Sequence, residues 1–179
     1  NLMQLSTTAN LEGVYYKPRI DHELLEKYNE GLIILSGCAG GELGENLRYD
    51  RYDEAKQIAQ RYKSIFGDRY YLEMQDHGHP MARHRWDVQG KINEGLEKLS
   101  RELDIPVVVS SDGHYLEHAD QEAHEILLCV GTGAYLSDEK RMSLKDFELH
   151  LPEQLDIISH REQTMPEANE NTKKIDDSC

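Results

Sequence analysis

An α/β fold built on a parallel sheet is predicted for this chain by three observations. Short apolar runs alternate with amphipathic helical segments, in the order strand, helix, strand, helix, strand, helix. The clearest run, Val107-Val-Val109, is β-branched and continuous, as in a strand buried on both faces. Each run also ends in polar residues: Cys38; then Gln75, Asp76 and His77; then Asp112 and His114. With parallel strands and right-handed crossovers, all three ends fall at one edge of the sheet, where sites gather in α/β folds.

The elements follow in order. Leu2, Leu5 and Ala9 repeat at helical spacing, and Gly13 ends that helix. Residues 15–18 read as extended, because the residue before Pro18 is biased away from helix. Asp21 is the expected N-cap of a short helix through Leu24, Leu25 and Tyr28. Residues 31–36, Gly-Leu-Ile-Ile-Leu-Ser, predict a buried strand running into a glycine-rich loop that holds Cys38. Residues 53–66 carry Ala55, Ile58, Ala59, Tyr62, Ile65 and Phe66 on one stripe, with Gly67 as the stop. Residues 70–74 form the next strand.

A long helix spans 83–103, with Ile92, Leu96, Leu99 and Leu103 spaced four, three and four apart. Gly90 and Gly95 each weaken it by about 1 kcal/mol relative to Ala. If extended backbone persists past Ser111, Asp112 and His114 project together, since side chains two apart on a strand point the same way. Asp120 is the expected cap of a helix whose apolar side carries Ala123, Ile126, Leu127 and Val130; Cys129 is read as a core thiol and His124 as structural. The remainder is less regular. Residues 137–141 read as a charged turn and 143–150 are ambiguous. Pro152 starts one helix, through 155–158, and Pro166 starts another, through 168–175.

Composition narrows the function classes. The chain has 179 residues, 38% hydrophobic and 30% charged, enough for one domain with a core. No stretch approaches the ~20 apolar residues of a membrane span, and no signal-peptide core is present, so a cytoplasmic location is expected. A net charge of −14 argues against broad binding to a nucleic-acid backbone. Three widely spaced cysteines do not suggest a disulfide framework. No P-loop or dinucleotide fingerprint is present, because the glycines at 40, 41 and 44 lack the spacing.

Two chemistries remain for Cys, Asp and His at one edge. Thiolate and imidazole favour zinc, and a carboxylate also tolerates manganese or iron. A Cys-His-Asp hydrolase would instead need Cys38 paired with a His that an Asp orients. Asp112 and His114, side by side, suit joint metal binding better than such a relay.

Three motifs carry a family resemblance: Asn29-Glu-Gly-Leu-Ile-Ile-Leu-Ser-Gly-Cys38, Tyr71-Leu-Glu-Met-Gln-Asp-His-Gly78 and Ser111-Asp-Gly-His-Tyr115. Together they resemble the polymerase and histidinol phosphatase (PHP) domain at the start of bacterial DNA polymerase III alpha subunits. Supporting matches lie at 1–5, 15–19, 122–133 and 166–172. The resemblance implies a partial distorted (β/α) barrel of PHP type with parallel strands, followed by C-terminal helices. It implies one partial domain over 1–179, with the barrel part at 1–133 and a helical exit segment at 134–179. It implies metal-ligand roles for Cys38, Asp112 and His114, with zinc or manganese as the cofactor. Glu73, Gln75, Asp76 and His77 are candidate site-lining residues.

The family's opening His-x-His segment, a further His and an acidic ligand are expected before Asn1, and a polymerase palm after Cys179. The chain therefore reads as the later part of one domain of a larger protein. The resemblance implies a fragment of a replicative, DNA-directed DNA polymerase, a nucleotidyltransferase, with phosphoesterase or 3′–5′ exonuclease chemistry in this region. Implied partners are DNA and nucleoside triphosphates through the parent, and other replisome subunits such as a proofreading exonuclease. Two other readings compete: a free-standing metal phosphoesterase, and a non-catalytic scaffold for polymerase and proofreading partner.

Overall fold

The computed structural model describes residues 1–77, 83–151 and 166–179, with backbone alone at 83–87 and 166. The helix predicted from Pro152 lies outside the described residues. A three-stranded parallel sheet organises the rest. Its strands are β3 (Ile34–Leu35), β4 (Tyr70–Gln75) and β5 (Val107–Ser110), in the order β3-β4-β5. Among the described residues the sheet is open, so a closed barrel is not formed. The α/β class and the parallel direction agree with the sequence.

Among the described residues seven α-helices surround or extend the sheet: α1 (Leu2–Leu11), α2 (His22–Lys27), α3 (Glu42–Arg48), α4 (Tyr52–Phe66), α5 (Arg83–Leu103), α6 (Gln121–Thr132) and α7 (Pro166–Ser178). The apolar stripes of α4 and α5 make the core as their spacing requires. Ala55, Ala59 and Phe66 pack with Ile92, Leu96 and Leu99, and Tyr70, Leu72 and Val107 meet them from the sheet. Helix α3 wedges between α4 and α5 through Leu43 and Leu47. Gly95 makes that wedge fit, since a Cβ there would stand 2.7 Å from Leu47 Cδ2. Gly90 faces open space and has no such reason.

Both outer strands have a boundary. Along β5, α7 packs against the strand, and buried Asn171 donates from Nδ2 to the Val107 carbonyl at 2.9 Å. At β3, Arg69 ties the approach instead, donating to the carbonyls of Asn29 and Leu32 at 2.5 and 2.8 Å. The predicted buried strand at 31–36 is corrected here. Only Ile34 and Leu35 pair, and Leu35 is 40% exposed; among the described residues β3 has a strand on one side alone.

Three further expectations change. Residues 14–18 are extended but fold back as a hairpin of β1 (Val14–Tyr15) and β2 (Lys17–Pro18). Tyr16 turns the chain at φ 61°. Asp21 does cap α2, accepting from the Leu24 N–H at 2.9 Å. Asp120 precedes α6 but gives its side chain to the Glu117 N–H.

The face of α6 is the largest revision. Ile126, Leu127 and Val130 are 46%, 66% and 76% exposed, and the buried side carries Glu125 and Cys129. Three donors converge on Glu125: Arg141 Nη1 at 2.5 Å, Ser143 Oγ at 2.9 Å and the Leu144 N–H at 2.7 Å. A charged anchor thus replaces the expected apolar one. Burial opposes ionisation of Glu125, but these donors outweigh it and hold the carboxyl below its ordinary range.

Candidate functional site

Parallel pairing places the carboxyl ends of β3, β4 and β5 at one edge, as the alternation predicts. Beyond that edge a cavity of about 500 Å³ is lined by Cys38, Gln75, His77 and Asp112, together with Phe147, Leu149 and Arg48. Residues from all three strand ends therefore meet in one cavity. Of the candidate lining residues, Gln75 and His77 line it. Glu73 and Asp76 do not: Glu73 accepts from Ser110 Oγ at 2.6 Å on the neighbouring strand.

Glycines bring Cys38 to its place. The loop turns at Gly37, φ 76°, and α3 then starts against the loop backbone. A Cβ on Gly44 would stand 2.5 Å from the Cys38 carbonyl oxygen. Close approach of helix to loop therefore explains the glycine at 44, while a left-handed backbone explains that at 37. The Cys38 side chain is exposed.

Asp112 reaches the site by a different route from the one predicted. Strand β5 ends at Ser110, and Asp112 takes a left-handed backbone, φ 51°. Extended alternation does not persist. The kink nevertheless puts Asp112 between two imidazoles. Its Oδ1 lies 3.4 Å from His114 Nε2, and its Oδ2 lies 3.4 Å from His77 Nε2. His77 Nε2 is buried and among the described residues has no aligned hydrogen-bond partner, so its approach to Asp112 is a close polar contact. The His77 contact is the main influence holding the Asp112 carboxyl below its ordinary range; partial burial opposes it and the His114 charge adds to it.

The chain continues outward. His114 Nδ1 and His124 Nε2 are 3.2 Å apart, within hydrogen-bond distance. The 147–151 segment braces the cluster. The His114 N–H donates to the Leu149 carbonyl at 2.7 Å, and the Glu148 N–H donates to the His77 carbonyl at 3.3 Å.

The donors fit a divalent cation in part. Two ligands on a tetrahedral zinc ion with bonds of about 2.0–2.1 Å lie about 3.3–3.4 Å apart. Asp112 Oδ1 and His114 Nε2 have that separation, which serves one edge of a coordination shell. Among the described residues no group of three such side chains is arranged to hold a metal ion. Cys38 and Asp112 line the same cavity, His114 does not, and the three predicted ligands do not converge on one point.

Sequence reasoning placed His77 as lining and left His124 structural. The geometry joins both to the cluster. Arg48, Phe147 and Leu149 had no local signal, since only tertiary folding brings them to the cavity.

Residues 1–77 match the PHP domain family. Over its whole length the chain is 40% identical to DNA polymerase III subunit alpha of Borreliella burgdorferi and 41% identical to that of Treponema pallidum, covering 15% of each. It is 36% identical to that of Thermus aquaticus, covering 14%. The chain is homologous to the PHP region of DNA polymerase III alpha subunits. It spans about one seventh of the length of these curated relatives.

Proposed function

We propose that this chain is a PHP segment of a replicative DNA polymerase III alpha subunit, and that its strand-end cavity forms one side of a metal-dependent phosphoesterase site. Residues 1–133 are the barrel part and 134–179 the exit segment. The observation that carries the reading is Asp112, poised between His77 and His114 beside a cavity shared with Cys38. Asp112 and His114 would supply one edge of the cation's shell, and Cys38 lines the cavity beside them without converging on the same point. Zinc or manganese suits this mixture of sulfur, nitrogen and oxygen donors. When bound, such an ion activates water and polarises a phosphoryl oxygen.

The chain's own residues give the rest. Arg48 lies in the lining, and a cation there would suit a phosphate oxygen. Phe147 and Leu149 give that wall an apolar lining. A phosphodiester end, as in 3′–5′ exonuclease action, is the substrate class this lining favours. DNA, nucleoside triphosphates and a proofreading subunit are partners through the parent protein. The acidic surface contributes little direct DNA contact, and the setting is cytoplasmic.

The scaffold reading keeps one observation in its favour: the described donors do not converge in threes. The two readings separate on the full-length protein. Parent, Asp112→Ala and Cys38→Ala forms would be assayed for bound zinc and manganese and for release of nucleotides from a DNA 3′ end. Metal and hydrolysis lost together in both variants support the site. A full-length protein that folds, polymerises and holds no metal leaves the scaffold reading standing.

A further inference from the structure

We infer that the β1–β2 hairpin is a single-stranded DNA contact, with the Tyr16 ring as a stacking platform for a base and Lys17 and Arg19 as phosphate partners. The hairpin is separate from the strand-end cavity, which no residue of 14–19 lines. The inference rests on the polymerase reading above for the presence of DNA, and on nothing at the metal site.

The pairing sets the geometry. Tyr15 pairs with Lys17 across the hairpin, and Val14 with Pro18. Directly paired residues share a face, and Arg19 follows two residues after Lys17. The Arg19 guanidinium stands over the Tyr15 ring, 5.4 Å from its centroid. One face thus carries a phenol ring and two cations. Tyr16, alone at the tip, forms a T-shaped pair with Tyr15, centroids 4.7 Å apart.

Folding does not account for the ring at 16. Tyr16 is 89% exposed, so it adds almost nothing to the core. Its φ of 61° is left-handed, a conformation that strains an aromatic residue and that glycine adopts freely. A large ring is held outward where a small residue fits better. Strain of this kind, with no burial in return, points to a role outside the chain.

The charges name the partner. Residues 14–19 contain Lys17 and Arg19 and no carboxylate, in a chain whose net charge is −14. Both cations are exposed. Among the described residues neither forms an ion pair, although Arg19 borders a groove with Glu12, Asp21 and Glu23. An exposed ring beside unpaired cations matches the alternation of base and phosphate along a single strand. A duplex keeps its bases stacked inside and offers the ring nothing.

The test uses the full-length protein in EDTA with a fluorescent oligothymidylate, read by anisotropy over a salt series. EDTA makes the result independent of any metal. Tyr16→Gly relieves the left-handed turn and removes only the ring. Its melting temperature should equal or exceed the parent's, while affinity for the oligonucleotide falls about 5- to 100-fold. Tyr16→Phe should keep the parent affinity. Lys17→Gln should lower the slope of log affinity against log salt by about 0.7. Tyr135→Ala, at another exposed tyrosine, should change nothing. Irradiation of an iodouracil-substituted strand should attach it to Tyr15 or Tyr16. Parent affinity in Tyr16→Gly, or attachment only elsewhere, overturns the hairpin contact and leaves the polymerase reading intact. Equal loss in Tyr16→Phe also overturns it, since the ring alone would not suffice. A parent protein that binds no oligonucleotide overturns the polymerase reading and this inference together.

Discussion

Replacing Glu125 with glutamine removes one charge and almost no volume from the buried face of α6. The side chain is fully buried and accepts from Arg141, Ser143 and the Leu144 N–H. Glutamine can keep the Leu144 bond through its oxygen. Its amide nitrogen then faces Arg141 donor to donor, while the Ser143 hydroxyl can turn and accept from it. The charge-assisted bond from Arg141 is lost, at about 1.5–3 kcal/mol. Arg141 keeps its bond to the Met142 carbonyl at 3.0 Å, and its side chain stays 11% exposed, so water offsets part of the loss.

The net cost at neutral pH is about 2 kcal/mol, or about 4–8 °C in melting temperature for a chain of this size. The pH dependence has a definite sign. A carboxyl held below its unfolded value, about 4.3 for Glu, adds stability above that value and loses it as pH falls through the folded value. The gap between parent and Glu125→Gln should therefore be full at pH 7 and narrow in acid. Thermal unfolding of both proteins between pH 3 and pH 7 measures it. A difference under about 0.5 kcal/mol at pH 7, the range of an ordinary surface change, would refute the reasoning. So would a gap that widens in acid.

Two further substitutions probe the core. Gly90→Ala should stabilise α5 by about 1 kcal/mol, because open space lies beside it. Gly95→Ala gains the same propensity but drives a methyl into Leu47, costing about 1–3 kcal/mol. Denaturant unfolding should rank Gly90→Ala above the parent and Gly95→Ala below it. Asn171→Ala leaves the Val107 carbonyl without its buried partner, a cost of about 1–3 kcal/mol. Hydrogen exchange should then show faster opening of α7 while α4 keeps its protection.

Much of this fold is legible in the sequence, because periodicity reports which side of an element is buried. The stripes of α4 and α5 and the run at 107–109 specify the core directly. The pattern misled at α6. Ile126, Leu127 and Val130 have helical spacing, yet the buried side is set by Glu125 and its donors at 141–144, a tertiary charge pairing no local window shows. At β3, apolarity predicted burial, but a strand paired on one side stays half open.

The site divides in the same way. Cys38, Asp112, His77 and Gln75 were visible as polar residues after apolar runs. Their meeting follows from parallel direction alone. Asp112 contacts His114 through a left-handed kink that strand alternation does not contain. His124 was set aside because a lone histidine on a helix gives no sign of what faces it.

Anomalous diffraction from crystals of the full-length protein grown with zinc tests the central claim most directly. Data on either side of the zinc absorption edge locate the ion without reference to activity. The account predicts a peak between Asp112 Oδ1 and His114 Nε2, at about 2.0–2.2 Å from each. A fully occupied crystal form with no peak there, or with zinc bound only elsewhere, would contradict it.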